Sequence, residues 1–348
     1  MAGPAPLLFL GSKPLGLRLL EELAVLAGDR LAAAATCDDS ADARSCLPAF
    51  RAFAQSRGLP LDILPPRDIG SWVERWRPYA VVVCGWYWKI PGPALARAPG
   101  GFLGLHASLL PRYRGNAPLV WALLNGEAEA GVSLFRMEEG MDTGDLLAQE
   151  RFPLRPDETI ADALAKAEAA SLAALRQAAP GLLAGSPAFR PQSAEGISVF
   201  PRRTPADGRL DWGSPAGAVY NAIRAQTRPY PGAFAYLGDR KVTIWSAARD
   251  AASGTAGSGA ASPGESGPAA SARAEETGGA DAGGPDSHPG FHPGGGDDGN
   301  PPGRVLEAGS GGARVACGSG SVVLREIQFE GDAARPAGDC LRAGERLA

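Results

Sequence analysis

Short apolar runs alternate with helically periodic stretches through the first half of the chain. Pro6 to Leu10 is an apolar run closed by Gly11 and Ser12, which reads as a strand and its turn. Leu15, Leu17, Leu19, Leu20, Leu23, Val25 and Leu26 then crowd residues 14–27, a helix. The alternation continues with an Ala-rich strand at Leu31 to Cys37, a helix over 41–57 and a short strand at Leu61 to Leu64. Tyr79 to Cys84, YAVVVC, is the clearest buried strand. A helix over 91–98, a strand at Phe102 to His106, a helix over 117–124, a strand at Gly131 to Met137 and a long Ala/Leu helix over 158–178 follow. Continuous apolar strands separated by helices predict an α/β domain over 1–180, built on a Rossmann-like, mostly parallel sheet covered on both faces. Ligands in such sheets bind beyond the carboxyl ends of the strands, so the residues that follow strands matter most.

The pattern changes after this half. Residues 181–204 are rich in Pro, Gly, Ser and Arg and read as a linker. Residues 205–348 hold one helix, near 215–226, and five short strands bounded by glycine turns: AFAYLG, KVTIWSA, RVLEAG, ARVACG and SVVLREIQF. They predict a smaller C-terminal β-rich domain, an OB-like barrel. Residues 251–303 interrupt it. They contain no Leu, Ile or Val, so they bury too little apolar surface to offset their ordering entropy, and they predict a disordered insertion in a loop. GGGDDGN within it lacks the repeated acidic spacing of a calcium loop and reads as solvated linker.

Composition narrows the classes. The chain of 348 residues is 45% hydrophobic and 21% charged, with a net charge of −4, which is globular and calls for neither nucleic acid nor an anionic membrane. The five cysteines are scattered without a CxxC pair, so they read as small buried hydrophobes rather than disulfides or zinc ligands. The apolar run at Leu7 to Leu10 is too short for a signal-peptide core, and no stretch reaches membrane-spanning length; a soluble cytoplasmic protein is expected.

Chemistry concentrates in two segments. Of three histidines, His288 and His292 fall in the insertion, and His106 stands at the end of a predicted strand. It opens the polar turn His106-Ala-Ser108-Leu-Leu-Pro111-Arg112-Tyr113-Arg114-Gly115-Asn116, whose arginines suit an anionic or carbonyl group. The second segment, Glu138-Glu139-Gly140-Met141-Asp142-Thr143-Gly144-Asp145, is an acidic, glycine-bounded loop after a strand. A carboxylate there can orient a histidine or take a proton from an amine.

Together these segments resemble the folate-dependent formyltransferases over roughly residues 5–250. That family's signature reads like N-x-H-x-S-L-L-P-x-x-R-G followed by a D-x-G-D loop. Its counterparts here are Gly104 to Pro111, Arg114-Gly115 and Asp142 to Asp145, with 36 residues from His106 to Asp142. The resemblance implies transfer of a formyl group from N10-formyltetrahydrofolate to an amine, with no metal. His106 would hold the formyl oxygen, and Asp142 would take the amine proton. The pterin would lie against Gly85, Trp86, Tyr87 and Trp88 and against Met137, Glu139 and Gly140. Ser108, Arg112, Arg114, Arg202 and Arg224 would meet the acceptor. One position departs from the pattern: the family's asparagine falls on Gly104, and losing such a donor costs roughly 3–4 kcal/mol of transition-state stabilisation.

The segments FPRRTPADGRLDW and IRAQTRPYPGAF look like those flanking the site in the sugar-nucleotide formyltransferases. Residues 196–249 carry eight Arg or Lys against three Asp, an excess that can serve a pyrophosphate. Methionyl-tRNA formyltransferase is the main alternative, but the loop where it is lysine-rich reads here as the acidic CDDSADARS. A small amine acceptor is therefore expected, a nucleotide-linked amino sugar or a natural-product amine. A formyl-folate hydrolase and a non-catalytic folate-binding protein are the further alternatives.

Overall fold

The structure, a computed structural model, describes residues 6–42, 44–250 and 299–348. All but the last five residues of the expected insertion, and with them His288 and His292, lie outside the described residues. Five strands of the first domain run parallel: β1 (Leu7–Gly11), β2 (Leu31–Thr36), β3 (Leu61–Ile63), β4 (Ala80–Cys84) and β5 (Gly101–His106). A two-residue strand, β6 (Arg114–Gly115), lies outside the main sheet. Strands β7 (Glu129–Arg136) and β8 (Leu146–Pro153) add to it antiparallel beside β5, giving the order β3-β2-β1-β4-β5-β7-β8.

Successive strand residues point to opposite faces, which explains why these strands are apolar throughout. Leu7 and Phe9 of β1 pack with Leu19, Leu20 and Leu23 of α1 (Lys13–Ala27), Phe50 of α2 (Leu47–Arg57) and, past further helices, Leu175 near residue 178. Leu8 and Leu10 face Ile69, Trp72 and Val73 of α3 (Ile69–Trp76) and Ala94 of α4 (Gly92–Leu95). Helix α5 (Pro118–Leu124) and the long α6 (Ile160–Ala184) cover the β7–β8 side. The sheet reverses its winding between β1 and β4, and Ser12 Oγ bridges their carboxyl ends by donating to the Gly85 carbonyl at 2.6 Å. A crevice at this reversal is where the doubly wound architecture places a ligand.

Several boundaries differ from the sequence reading. Helix α2 starts at Leu47 rather than 41, because side chains of the preceding loop capture its backbone: Asp38 accepts from the Ser40 amide and Asp42 from the Arg44 amide. The helix expected over 91–98 is one turn, α4. Helix α3 and strand β8 were not expected; β8 is an edge strand whose Gln149-Glu150-Arg151 hides its apolar alternation. Helix α6 runs past 178 to Ala184. Beyond it, the expected linker folds back across the first domain: Arg190 pairs with Leu146, and β9 (Val199–Phe200) pairs parallel with β6.

The second domain is an antiparallel sheet under one main helix, α7 (Ala216–Gln226). Strands β10 (Ala233–Leu237), β11 (Arg240–Arg249), β12 (Val305–Gly309), β13 (Gly312–Ala316) and β14 (Ser321–Phe329) follow the order β10-β11-β14-β13-β12, and β15 (Arg335–Pro336) pairs with β14 ahead of α8 (Ala337–Cys340). Leu347 bridges to Leu237 and Arg346 to Arg304, so residues 346–347 join the two sheet edges. Val219 and Ile223 of α7 fill the interior with Val242, Ile244, Val315, Leu324 and Ile327. Among the described residues no helix is long and apolar enough to cross a membrane.

The acidic loop after β2 is held down by a buried cation. Lys13, at φ +68° on the first turn of α1, lies 2.6 Å from Asp39 and 2.9 Å from Asp42, with only 9% of its side chain exposed. Burial works against its charge, yet the bonds to Asp39 and Asp42 outweigh burial and hold its pKa above the ordinary lysine value. This contribution is full below the ordinary lysine pKa and is lost as pH rises through the raised one. Lys13→Met strands Asp39 and should lower stability by about 3–5 kcal/mol, measured by denaturant unfolding near neutral pH; an unchanged midpoint would show that water, not the ion pair, holds the loop.

Candidate active site

The turn that follows β5 is built around two buried polar side chains. His106, 9% exposed, directs Nε2 at the Tyr113 carbonyl, 2.6 Å away. A carbonyl only accepts, so Nε2 carries the proton and Nδ1 is the nitrogen left for chemistry. Ser133 on β7 is fully buried; its hydroxyl donates to the Ser108 carbonyl at 2.7 Å and accepts from the Leu110 amide at 3.1 Å and from Gln149 Nε2 at 2.9 Å. Ser108 Oγ in turn donates to the Arg112 carbonyl at 2.7 Å. The turn is thereby fixed from inside.

Asp142 reaches His106 by folding back. The ladder sets Arg136 opposite Leu103 and Ser133 opposite His106, so the loop after β7 must return along the sheet to bring its carboxylate to the strand end. There Asp142 Oδ2 lies 3.6 Å from His106 Nδ1 and accepts from the Gly115 amide at 2.8 Å. Asp142 itself is left-handed, φ +54°, as are Tyr113 at +59° and Ala117 at +52°. Three non-glycine residues in this region around one pair of side chains mark stored strain of about 1–3 kcal/mol each. Two glycines permit the approach. A Cβ on Gly144 would stand 1.8 Å from the Arg136 carbonyl oxygen, and one on Gly115, φ +101°, would stand 2.3 Å from that of Phe200. Gln192, from the returning linker, completes the hold: its Nε2 donates to the Asp142 and Gly144 carbonyls, both at 2.8 Å, and its Oε1 accepts from Arg114.

The residues expected to meet a cofactor lie on the loops that follow β4 and β7. Gly85, at φ +70°, follows β4; Trp86 is half-buried, and Tyr87 and Trp88 are exposed. Trp86 and Trp88 meet edge to face at 4.9 Å. Trp86 Nε1 is buried without a hydrogen-bond partner among the described residues. Met137 is half-buried, while Glu139 and Gly140 are exposed, and Glu139 lies against Gly92. Gly104 faces Met137: a Cβ there would stand 3.0 Å from its Cγ and 3.2 Å from its Sδ, so the thioether occupies the space beside the glycine.

The residues expected to meet an acceptor separate into two groups. Ser108, Arg112 and Arg114 build the turn: Arg112 pairs with Glu127 and stacks over Tyr113, and Arg114 holds Gln192. Arg224 is buried, 4% exposed, and donates to Asn221 Oδ1 and to the Glu158 carbonyl, which ties α7 to the first domain rather than turning the guanidinium to a ligand. Arg202 is exposed, with no hydrogen bond or ion pair among the described residues. Its neighbour Arg203, which the sequence reading did not single out, lines a cavity of about 210 Å³ together with Asn116 and Tyr230. Gln192 and Ser133 were missed as well; a polar residue in an apolar strand was the available signal for Ser133. Among the described residues no cluster of three or more His, Cys, Asp or Glu can hold a metal ion.

Comparison with known proteins identifies both domains. Residues 36–178 match the family model described as formyl transferase, and residues 202–343 match the one described as formyl transferase, C-terminal domain. Among solved structures, HypX from Aquifex aeolicus in complex with tetrahydrofolic acid is similar with a TM-score of 0.55 at 17% identity, over 96% of this chain and 46% of that one. This chain thus spans about half the length of HypX. An N-formyltransferase from Helicobacter canadensis, in complex with folinic acid and dTDP-3-aminofucose, gives a TM-score of 0.53 at 15% identity, over 69% of this chain and 95% of that one. Methionyl-tRNA formyltransferase from Clostridium thermocellum gives 0.51 at 18%, over 71% and 94%. At these identities the likeness is one of fold.

Ser133→Ala leaves the buried Leu110 amide without an acceptor and should cost about 1–3 kcal/mol. Denaturant unfolding, with amide exchange at Leu110 as a local readout, checks this; unchanged exchange would show that the turn holds without the serine.

Proposed function

The chain belongs to the formyltransferase family, whose N-terminal and C-terminal domains it carries in order, and from this premise we propose that it moves a formyl group from N10-formyltetrahydrofolate to the amine of a small acceptor. The observation that carries the reading is the pairing of His106 Nδ1 with Asp142 Oδ2 at 3.6 Å, while Nε2 is committed to Tyr113.

The exposed aromatic loop after β4 suits a flat ring with a hydrogen-bonding edge. Tyr87, Trp88 and Met141 are exposed, and the Trp86 indole N–H has no partner among the described residues. Gly85 to Trp88, with Met137, Glu139 and Gly140, would hold the pterin. Bound there, the reduced folate supplies the one-carbon unit already at the formyl oxidation level. His106 then donates from a protonated Nδ1 to the formyl oxygen, where negative charge develops as the amine attacks. Asp142 would orient that imidazole and take the proton that the amine loses, and the proton would pass on to N10 of the folate as the bond from N10 to the formyl carbon breaks. The Gly115 amide keeps the carboxylate facing the imidazole throughout.

The charge around the site favours a small acceptor over tRNA. In the loop after β2, Lys13 is engaged by Asp39 and Asp42, and Arg44 lies on Asp42 with bonds of 3.1 and 2.8 Å. The cations there are paired within the protein, whereas tRNA binding draws on cations free to displace counterions from phosphate. A nucleotide-linked amino sugar fits this reading.

The test is turnover of N10-formyltetrahydrofolate with nucleotide-linked 3-amino and 4-amino sugars, charged initiator tRNA, and no acceptor. Formylation of an amino sugar is expected, with His106→Ala slower by about 10²–10⁴-fold in a chain that still folds. Formylation of tRNA alone would overturn the small-acceptor reading. Formate released equally fast without any amine would make the chain a hydrolase. Near-normal turnover in His106→Ala would remove the mechanism.

A further inference from the structure

The cavity of about 210 Å³ between the two domains is lined by a cation, Arg203, that makes no ion pair among the described residues. Arg203 stacks over the Trp121 ring, 4.9 Å from its centre, and donates from Nη2 alone, to the Asp207 carbonyl at 2.7 Å and to Gln226 Oε1 at 2.8 Å. Both acceptors are uncharged. The nearby Asp207 carboxylate is occupied by the amide and hydroxyl of Thr204 and makes no ion pair with Arg203. Arg203 Nε and Nη1 have no hydrogen-bond partner among the described residues, which leaves three N–H donors open. Burial disfavours the charged form of Arg203, so the charge is held at a cost that a bound anion would remove.

Two further donors line the same cavity without partners of their own. The Asn116 carboxamide and the Tyr230 hydroxyl make no hydrogen bond among the described residues. Asn116 also fixes where the cavity lies relative to the chemistry, because it follows Gly115, whose amide holds Asp142. Ala117, Val120 and Ala225 give the cavity an apolar side. Positive charge, uncharged donors and an apolar side, one residue from the reacting pair, describe a seat for the body of the acceptor rather than for the amine itself.

We propose that this cavity anchors the acceptor and that the group it binds is a phosphate, held by the open edge of Arg203 with Asn116 and Tyr230 as further donors. The inference rests on the formyl-transfer reading only for the word acceptor; the oxyanion site stands on its own geometry. A phosphate fits the donor set because it accepts from several directions at once, and a guanidinium is matched to it in shape.

The experiment is calorimetric titration of the full chain with inorganic pyrophosphate and with uridine diphosphate, without folate. Binding of both is expected, weakened about tenfold or more in Arg203→Met, while Arg240→Met, an equal loss of charge on the outer surface of the second domain, leaves it unchanged. Because Arg203→Met also removes two hydrogen bonds, Asn116→Asp serves as the second variant: it sets a carboxylate at an exposed position of the same cavity and should abolish binding without unfolding the chain. Uridine diphosphate binding more tightly than pyrophosphate would assign the cavity to a nucleotide; equal binding would assign it to the phosphate alone. No binding of either ligand, or equal weakening in Arg203→Met and Arg240→Met, would overturn the proposal. Phosphate binding without formyl transfer to any amine would sink the transfer reading and support the site. Transfer to an uncharged amine without phosphate binding would do the reverse.

Discussion

The hydrogen bond from His106 Nε2 to the Tyr113 carbonyl fixes which nitrogen of the site is available, and much of the surrounding structure exists to present that carbonyl. Tyr113 points its oxygen inward only because it is left-handed, at φ +59°. Its side chain supports that conformation: the ring stacks on Phe200 at 4.8 Å and 8°, and the hydroxyl donates to Glu127 at 2.7 Å and accepts from Asn125 at 3.0 Å. Burial, with Glu127 adding to it, pushes the Tyr113 phenol up to about 12, so it remains a neutral donor over the whole working range. Its amide donates to Ser198 Oγ at 2.8 Å. Phe200 and Ser198 belong to the returning linker, so the linker is a wall of the site.

The same segment serves the partner of His106. Gln192 holds the carbonyls of Asp142 and Gly144, and Phe200 offers the carbonyl that only a glycine at 115 can approach. A left-handed Asp142 and a left-handed Tyr113 are each unfavourable alone. They persist because each is bound at more than one point by elements distant in sequence. The imidazole and the carboxylate thus come from separate loops, and a third segment sets their separation.

This division explains what could be read from the chain. Apolar runs such as YAVVVC identify the sheet because burial on both faces demands them, and His106 and Asp142 stand out because one follows a strand and the other sits in a glycine-bounded loop. Helix α3 and strand β8 escape because their patterns are short or broken by charge. The linker escapes for a deeper reason. Its Pro, Gly, Ser and Arg content describes a chain without its own core, and nothing local records that Gln192 and Ser198 spend their polar groups on another segment's backbone. The arginines divide the same way: composition counts the positive charges of residues 196–249, but only packing tells Arg224, consumed by carbonyls, from Arg203, which keeps donors open.

Gly104 shows how far the site departs from the signature it otherwise follows. A side chain at this position would meet the Met137 thioether, and Met137 already packs into the cores on either side of it. The glycine is therefore compensated in volume but not in polarity: carbon and sulfur occupy the space where a carboxamide would have offered a donor. In the proposed reaction the oxygen of the formyl group must then rely on His106 Nδ1 for its stabilisation. Nδ1 donates only when protonated, because Nε2 keeps the other proton for Tyr113. The placement of His106 by Asp142, 3.6 Å from Nδ1, consequently carries weight that a second neutral donor would have shared. The strain held around Asp142, left-handed at φ +54°, is consistent with this load, since a carboxylate that orients its neighbour must not drift from it.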